Sequence, residues 1–479
     1  MTDLAVAQQV KAAPLVWRLA ALAAVAATFL IQARFILVHF SHGGYFIDGG
    51  WFAYLFGGGD PWLRAPRALG DGSYYQHHLS PYLYLLGALL KPLGLSGISI
   101  FALHQGAAFA LFLLALLMIA YEAEDVATRA VAAASALGIG ALSNLLFQAA
   151  EYPHFEILLL ALAAFAVAAW RRGLYAGFAL ALIALPFVRE DGGFYAALAA
   201  ALIAAIEMPG LTRRRIVALA AVILAGAVFS FAAILVQRLA FPASTTLGNF
   251  SGDHWRHLTL AELGRRAAAV MGNPSLALTL VGTAWLTTFD RRYAAGLVLT
   301  GPLLAVDFVA AKDFIASFSL YYALPWLFVA LVWLAVFVSR RAGTQRKEAL
   351  VLIAVSLLIT APAQALLGVK SAFWRIPVQA VTEDIGDIDG MRGFFAARIA
   401  AFRAKGEGAL CATMGAVSLA PDALTPEETE RAKSGMGGCG ELLTMSGQTD
   451  SALIGRLAAA SGLRREASDG YAEAWTREP

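Results

Sequence analysis

A few short polar stretches interrupt an otherwise apolar chain, and they carry the side-chain types that move protons and hold phosphates. Asp48 lies between Ile47 and Gly49 in a Gly-rich, aromatic-dotted segment, Tyr45 to Tyr84, directly after the first long apolar run. His77 and His78 precede Leu79-Ser80-Pro81, where a second apolar run begins. A carboxylate and an imidazole at the same membrane depth make an acid/base set. Glu151, His154 and Glu156 fall within six residues at one boundary between apolar runs. Arg189-Glu190-Asp191 separates two runs too short to spare any length, and ionised groups placed there are costly and usually functional. Lys312-Asp313, followed by Tyr321-Tyr322, adds a cation and two hydroxyls near the start of a later run.

Each group has a functional and a structural reading. Asp48 is a base for an acceptor hydroxyl, a ligand for a divalent metal, or a solvated cap of the helix that begins at Gly49-Gly50-Trp51. His77 and His78 bind substrate or bond backbone carbonyls, and no Cys/His spacing accompanies them to suggest zinc. Glu151 and His154 would share one helical face, with Glu156 off it; alternatively the corner is an acidic helix cap. Arg189 can grip a phosphate bidentately while Glu190 orients it or binds substrate, or the triplet is an Arg–acid pair tying two helices together. His254, Arg256 and His257 show no recognisable spacing and receive no role.

The elements that must position these groups are membrane helices. With 479 residues, 59% hydrophobic and 14% charged, and a mean hydropathy of +0.67, the chain is too apolar for a soluble domain, and several runs reach the ~20 residues that cross a bilayer. The net charge of +3 is small and its cations are scattered, which excludes a nucleic-acid surface. The first run, Leu15 to Phe40, is far longer than a signal-peptide core and reads as an uncleaved span.

Short Arg and Lys clusters set the orientation. Lys11/Arg18, Arg171-Arg172, Arg213-Arg214-Arg215, Arg291-Arg292 and Arg340-Arg341 with Arg346-Lys347 all face the cytoplasm if the run Pro81–Leu93 does not span. At about 13 residues, interrupted by Lys91-Pro92, that run is short for a crossing and reads as re-entrant or interfacial. The result is an all-α polytopic membrane protein of about eleven transmembrane helices, N-terminus inside and C-terminus outside. All the polar stretches then land on the outer side, including the loops 41–80 and 241–273.

The membrane domain spans 1–370. Beyond it, 371–479 drops in hydropathy and is the size of a small domain. Helical spacing over Gly390–Lys405, a strand-like run Ala409–Leu419, and helical Thr425–Ala432 and Ser451–Ala460 describe a small extracytoplasmic α/β domain. Cys411 and Cys439 are the only cysteines. They either close a disulfide loop of about 28 residues, contributing roughly 3 kcal/mol, or remain two buried thiols.

Taken in order, the motifs resemble those of the multi-spanning GT-C glycosyltransferases over about residues 15–370. Asp48 stands in the first outer loop after the first span, His78-Leu79-Ser80-Pro81 looks like the His-Pro-Pro-Leu entry of protein O-mannosyltransferases, and Glu151–Glu156 forms a second acidic corner. The chain is more similar still to an uncharacterised bacterial family placed in that superfamily, with an Asp-Gly pair (Asp48-Gly49), His-x-Ser-Pro, a Phe-His-Pro-Glu-like corner (Tyr152-Pro153-His154-Phe155-Glu156) and Lys-Glu-Asp (Arg189-Glu190-Asp191).

The resemblance implies transfer of a sugar, hexosyl or pentosyl, from a polyprenyl-phosphate donor to a lipid or cell-envelope acceptor on the periplasmic face of a bacterial inner membrane. Asp48 would be the base or metal-proximal carboxylate. Arg189, helped by Lys312, would neutralise the phosphate leaving group. His77, His78, Glu151, His154, Glu156, Glu190 and Tyr321 would hold donor or acceptor. The rival is a transporter or lipid flippase, which predicts ionisable groups midway along spans and repeated halves. Charges clustered at one interface, with no internal repeat, favour the enzyme.

Overall fold

A computed structural model describes residues 15–44, 47–69, 72–123, 126–207, 210–241, 255–288, 293–316, 360–366, 375–405, 408–425, 427–432, 436–447 and 451–477, with isolated positions at 322, 332, 354 and 358. Among the described residues, α1 (Leu15–Ser41), α4 (Gly97–Ala120) and α10 (Arg213–Ala240) are long and apolar enough to cross a membrane. Shorter apolar helices join them: α5 (Val126–Ala141), α6 (Asn144–Glu151), α7 (Ile157–Arg171), α8 (Tyr175–Val188) and α9 (Gly192–Glu207). Two further apolar runs of the sequence, Ile315–Val338 and Ala349–Leu367, lie largely outside the described residues, as does Tyr321.

The hub is α4. Its Ile100, Phe101, Phe112, Leu113 and Leu116 are fully enclosed, and it packs against α1, α5 and α7. By contrast α10 exposes Leu224, Phe231, Leu235 and Leu239, as a helix does when its partner is lipid rather than protein. The chain is a membrane protein.

The Tyr45–Tyr84 segment is not a loop throughout. Residues Ile47–Gly58 form helix α2, in which Trp51 through Phe56 are all buried; it contains the helical start at Gly49-Gly50-Trp51 that the capping reading of Asp48 expects. Close approach explains two glycines elsewhere. A Cβ on Gly97 would lie 1.9 Å from the Ala53 carbonyl oxygen, and one on Gly87 would lie 2.3 Å from that of Phe56, so bare backbone at α4 and α3 lets both helices clasp α2. Helix α3 (Pro81–Leu90) rises only about 15 Å, half a hydrocarbon core, and agrees with the non-spanning reading. The loop 241–273 likewise holds structure, an amphipathic helix Leu260–Gly272.

The C-terminal part is a five-stranded sheet of order β2-β1-β3-β5-β4, with β1 (Ala409–Ala412), β2 (Thr429–Arg431), β3 (Cys439–Met445), β4 (Leu463–Asp469) and β5 (Ala472–Arg477). The strand β1 runs parallel to β2 and β3, and β5 is antiparallel to β3 and β4. Helix Ser451–Ala460 forms as expected, whereas Thr425–Ala432 does not: Thr429 is buried as β2 pairs with β1, a tertiary pairing that overrides local propensity. The run Ala409–Leu419 is a strand only to Ala412 and then a helix, Met414–Leu419, because an apolar run alone does not separate a buried strand from a buried helix. Cys411 and Cys439 are joined in a disulfide.

Candidate active site

Three turns of α2 set the first catalytic candidate. Asp48, Trp51 and Phe52 share one helical face by their i, i+3, i+4 spacing. Trp51 packs edge-on against Tyr74 and His77, each with ring centroids 5.0 Å away, and Phe52 meets His154 at 4.5 Å and Phe155 at 5.0 Å. This fixes Asp48 beside the corner that follows α6. There the Tyr152 hydroxyl donates to Asp48 Oδ2 at 2.8 Å. Burial pushes the Asp48 carboxyl above its ordinary pKa, and the Tyr152 bond and the charges of His78 and Lys312 oppose that rise.

The corner itself is held by α4. His104 Nε2 donates to the Phe155 carbonyl at 3.1 Å, which leaves Nδ1 to accept from the Tyr82 hydroxyl at 2.8 Å. Gln105 donates to the His154 carbonyl at 2.9 Å. A His-Gln pair in the middle of an apolar span is costly unless its partners are fixed, and here the partners are the backbone of the site.

Next to the corner lies a compact charge network. His78 Nδ1 donates to Glu190 Oε1 at 2.8 Å, and the Leu79 backbone N–H donates to Glu190 Oε2 at 2.9 Å. On the other edge of the ring, His78 Nε2 stands 3.8 Å from Glu156 Oε1. Arg189 binds Glu156 and Asp191, the latter through two of its nitrogens. Glu156, Glu190 and His154 are each at most 4% exposed.

Ionisation follows from these contacts. Burial pulls His78 down, but the Glu190 carboxylate more than compensates and lifts its pKa above the usual imidazole value. Burial raises Glu156 despite Arg189 and His78. Burial also holds His154 well below the usual range, with His78 and Arg189 adding repulsion, so it stays neutral. Tyr74 is enclosed among Glu156, Asp48, Glu190 and Arg189.

Most of the residues expected from sequence therefore converge. Asp48, His77, His78, His154, Glu156, Arg189 and Glu190 gather in one polar cluster, and Lys312 lies within electrostatic reach of Asp48 and His77. Glu151 closes α6, but its side chain and Tyr321 fall outside the described residues. Arg189 is paired with two carboxylates, Glu156 and Asp191, and Lys312 is an exposed residue within electrostatic reach of Asp48. Tyr74, Tyr82, Tyr152, His104 and Gln105 are site residues that spacing did not single out. The one available signal was polarity inside the apolar run of α4.

No family model matches the chain, and no curated protein matches it. Among solved structures, the crystal structure of ArnT from Cupriavidus metallidurans bound to undecaprenyl phosphate aligns over 97% of this chain and 99% of that one, with a TM-score of 0.50 and 13% identity. The chain has a GT-C fold. A fainter likeness, TM-score 0.42 at 13% identity over 87% of this chain and 68% of that one, is to the Archaeoglobus fulgidus oligosaccharyltransferase in complex with zinc and sulfate.

Within this GT-C fold the donor set for a divalent ion is incomplete. Glu156 and Asp191 are bound to Arg189, and both oxygens of Glu190 are engaged by His78 and Leu79. Asp48 alone is fewer oxygen ligands than such an ion takes. Among the described residues no three His, Cys, Asp or Glu side chains group as metal ligands. A divalent metal at Asp48 would therefore draw its other ligands from substrate or from beyond the described residues.

Proposed function

We propose that the chain is a glycosyltransferase of a bacterial inner membrane that moves a sugar from a polyprenyl-phosphate donor to a lipid or cell-envelope acceptor on the periplasmic face, with its N-terminus cytoplasmic and residues 371–479 outside. The observation that carries this reading is Asp48, a carboxylate with raised basicity held by Tyr152 beside a dense Arg–Glu–His network. Asp48 takes the proton of the acceptor hydroxyl as its oxygen bonds to the anomeric carbon. The bond from that carbon to the phosphate oxygen breaks, and its electrons leave with polyprenyl phosphate. Lys312 neutralises the departing phosphate, a place where positive charge lowers the barrier. His78, oriented by Glu190, and the neutral His154 bind the sugar or the acceptor; Glu151 and Tyr321 are proposed to join them.

Two further observations support a lipid-linked donor. An apolar cavity of about 360 Å³, lined by Val270, Met271, Leu280, Leu304 and Phe308 among others, opens beside the outer helix Leu260–Gly272. The ArnT structure that shares the fold was solved with undecaprenyl phosphate bound. Neither fixes which sugar is moved.

The test is reconstitution of the full chain in liposomes with a panel of radiolabelled polyprenyl-phosphate hexoses and pentoses. Release of carrier phosphate together with label transfer to an envelope acceptor is expected for at least one donor. Label that crosses the bilayer still attached to its carrier would instead identify a flippase.

A further inference from the structure

One buried acid takes no part in the network above. Asp307 stands one residue before the end of the apolar helix Tyr293–Phe308 and is only 9% exposed. Its Oδ2 is enclosed and has no hydrogen-bond partner among the described residues. Position adds to the cost, because the last turn of a helix presents partial negative charge and disfavours a carboxylate.

A structural acid in such a place would be paired, yet Arg189 and Arg266, two cations near it among the described residues, are committed elsewhere. Arg189 binds Asp191 and Glu156. Arg266 binds Glu262 and donates through Nη1 to the Phe308 and Ala310 carbonyls at 2.7 and 2.8 Å. Arg189, Asp191 and Tyr195 are nevertheless close enough to interact electrostatically with Asp307. On the same turn, Leu304, Ala305 and Phe308 line the apolar cavity. Asp307 therefore lies on a helix turn whose neighbours border the apolar cavity, within electrostatic reach of Arg189 and Asp191.

We infer that Asp307 is a substrate-binding residue, whose Oδ2 accepts a hydrogen bond from a hydroxyl of the sugar carried by the donor. A buried acceptor left without a donor is expensive, and a ligand that runs from the apolar cavity toward the charged cluster brings the missing hydroxyl at this turn. The bare carrier phosphate, having no hydroxyls, does not satisfy it. This inference rests on the transferase reading for the identity of the ligand.

The experiment compares wild type, Asp307→Leu and Asp307→Asn in nanodiscs, measuring equilibrium binding of a polyprenyl-phosphate sugar and of bare polyprenyl phosphate. Asp307→Leu is expected to weaken the sugar-bearing ligand by about 10- to 100-fold and the bare carrier by less than about 2-fold. Asp307→Asn, which keeps an acceptor oxygen, should stay within about 3-fold of wild type for both. The melting temperature separates this role from a structural one: Asp307→Leu removes a buried polar group left without a partner among the described residues and should raise Tm. Equal losses for both ligands, no loss for either, or a lowered Tm in both variants would overturn the inference. A wild type that binds the sugar-bearing donor selectively yet transfers nothing would overturn the transferase reading and leave the Asp307 contact standing.

Discussion

The polar cluster and the C-terminal sheet use charge in different ways. In the cluster, Glu156 and Glu190 are almost fully enclosed and are served by residues from three distant parts of the chain, Tyr74–Leu79, Tyr152–Glu156 and Arg189–Asp191. Around the sheet, Arg403–Glu428 and Arg67–Glu430 lie at the surface, the buried Glu441 and Glu473 are each reached by a single arginine, Arg398 and Arg465, and the apolar cluster beneath is cross-linked by Cys411–Cys439. Buried ion networks are poor sources of stability because desolvation offsets their attraction. Their presence at one point of a membrane protein therefore speaks for chemistry, whereas the sheet is stabilised in the ordinary way.

The contrast can be broken or sharpened by substitution. The largest expected effect is in the polar cluster: Asp48→Asn should lower the transfer rate by about 10³-fold, within the range for loss of a general base, with Tm unchanged within error. If transfer survives, Asp48 is a helix cap. Next, replacing Cys411 and Cys439 by serine should destabilise the sheet by about 2–5 kcal/mol, read as earlier proteolysis of residues 371–479, while donor binding at the polar cluster persists. Loss of both together would mean that the two regions are not separable.

Tyr152→Phe has a smaller and more specific consequence. The Tyr152 hydrogen bond favours the Asp48 carboxylate, so its removal raises the Asp48 pKa further, and the acidic limb of the rate profile should move to higher pH. At alkaline pH, with Asp48 ionised in both proteins, the rates should differ by only about 3-fold. The smallest effect is at the surface. Arg67→Met, which cuts an exposed pair to Glu430 of the sheet, should cost less than about 1 kcal/mol and leave transfer untouched.

Much of the polar cluster was readable from the sequence because ionised residues at membrane boundaries have few reasons to be there. His78, Glu156, Arg189 and Glu190 stood out on that ground alone, whereas for the chain's only two cysteines the sequence left a bridge and two buried thiols both open, and the structure joins them. What spacing does not carry is pairing between distant segments. The choice of Glu156 and Asp191 as partners of Arg189 depends on how α7, α8 and α9 meet, so a phosphate clamp and an internal tie read alike. Likewise Asp307 sits in a run that passes for a simple apolar helix, and the close packing of α2 shows only where Gly87 and Gly97 press against its carbonyls.

The most direct test of a single shared site is the double-mutant cycle of Asp48→Asn and Glu190→Ala on the transfer rate. Glu190→Ala alone frees His78 and should cost about 10²-fold. Residues that act as one unit are non-additive, so the double variant should be no slower than Asp48→Asn by more than about 3-fold. Losses that multiply in full would contradict the account, because Asp48 and the His78–Glu190 pair would then be serving separate sites.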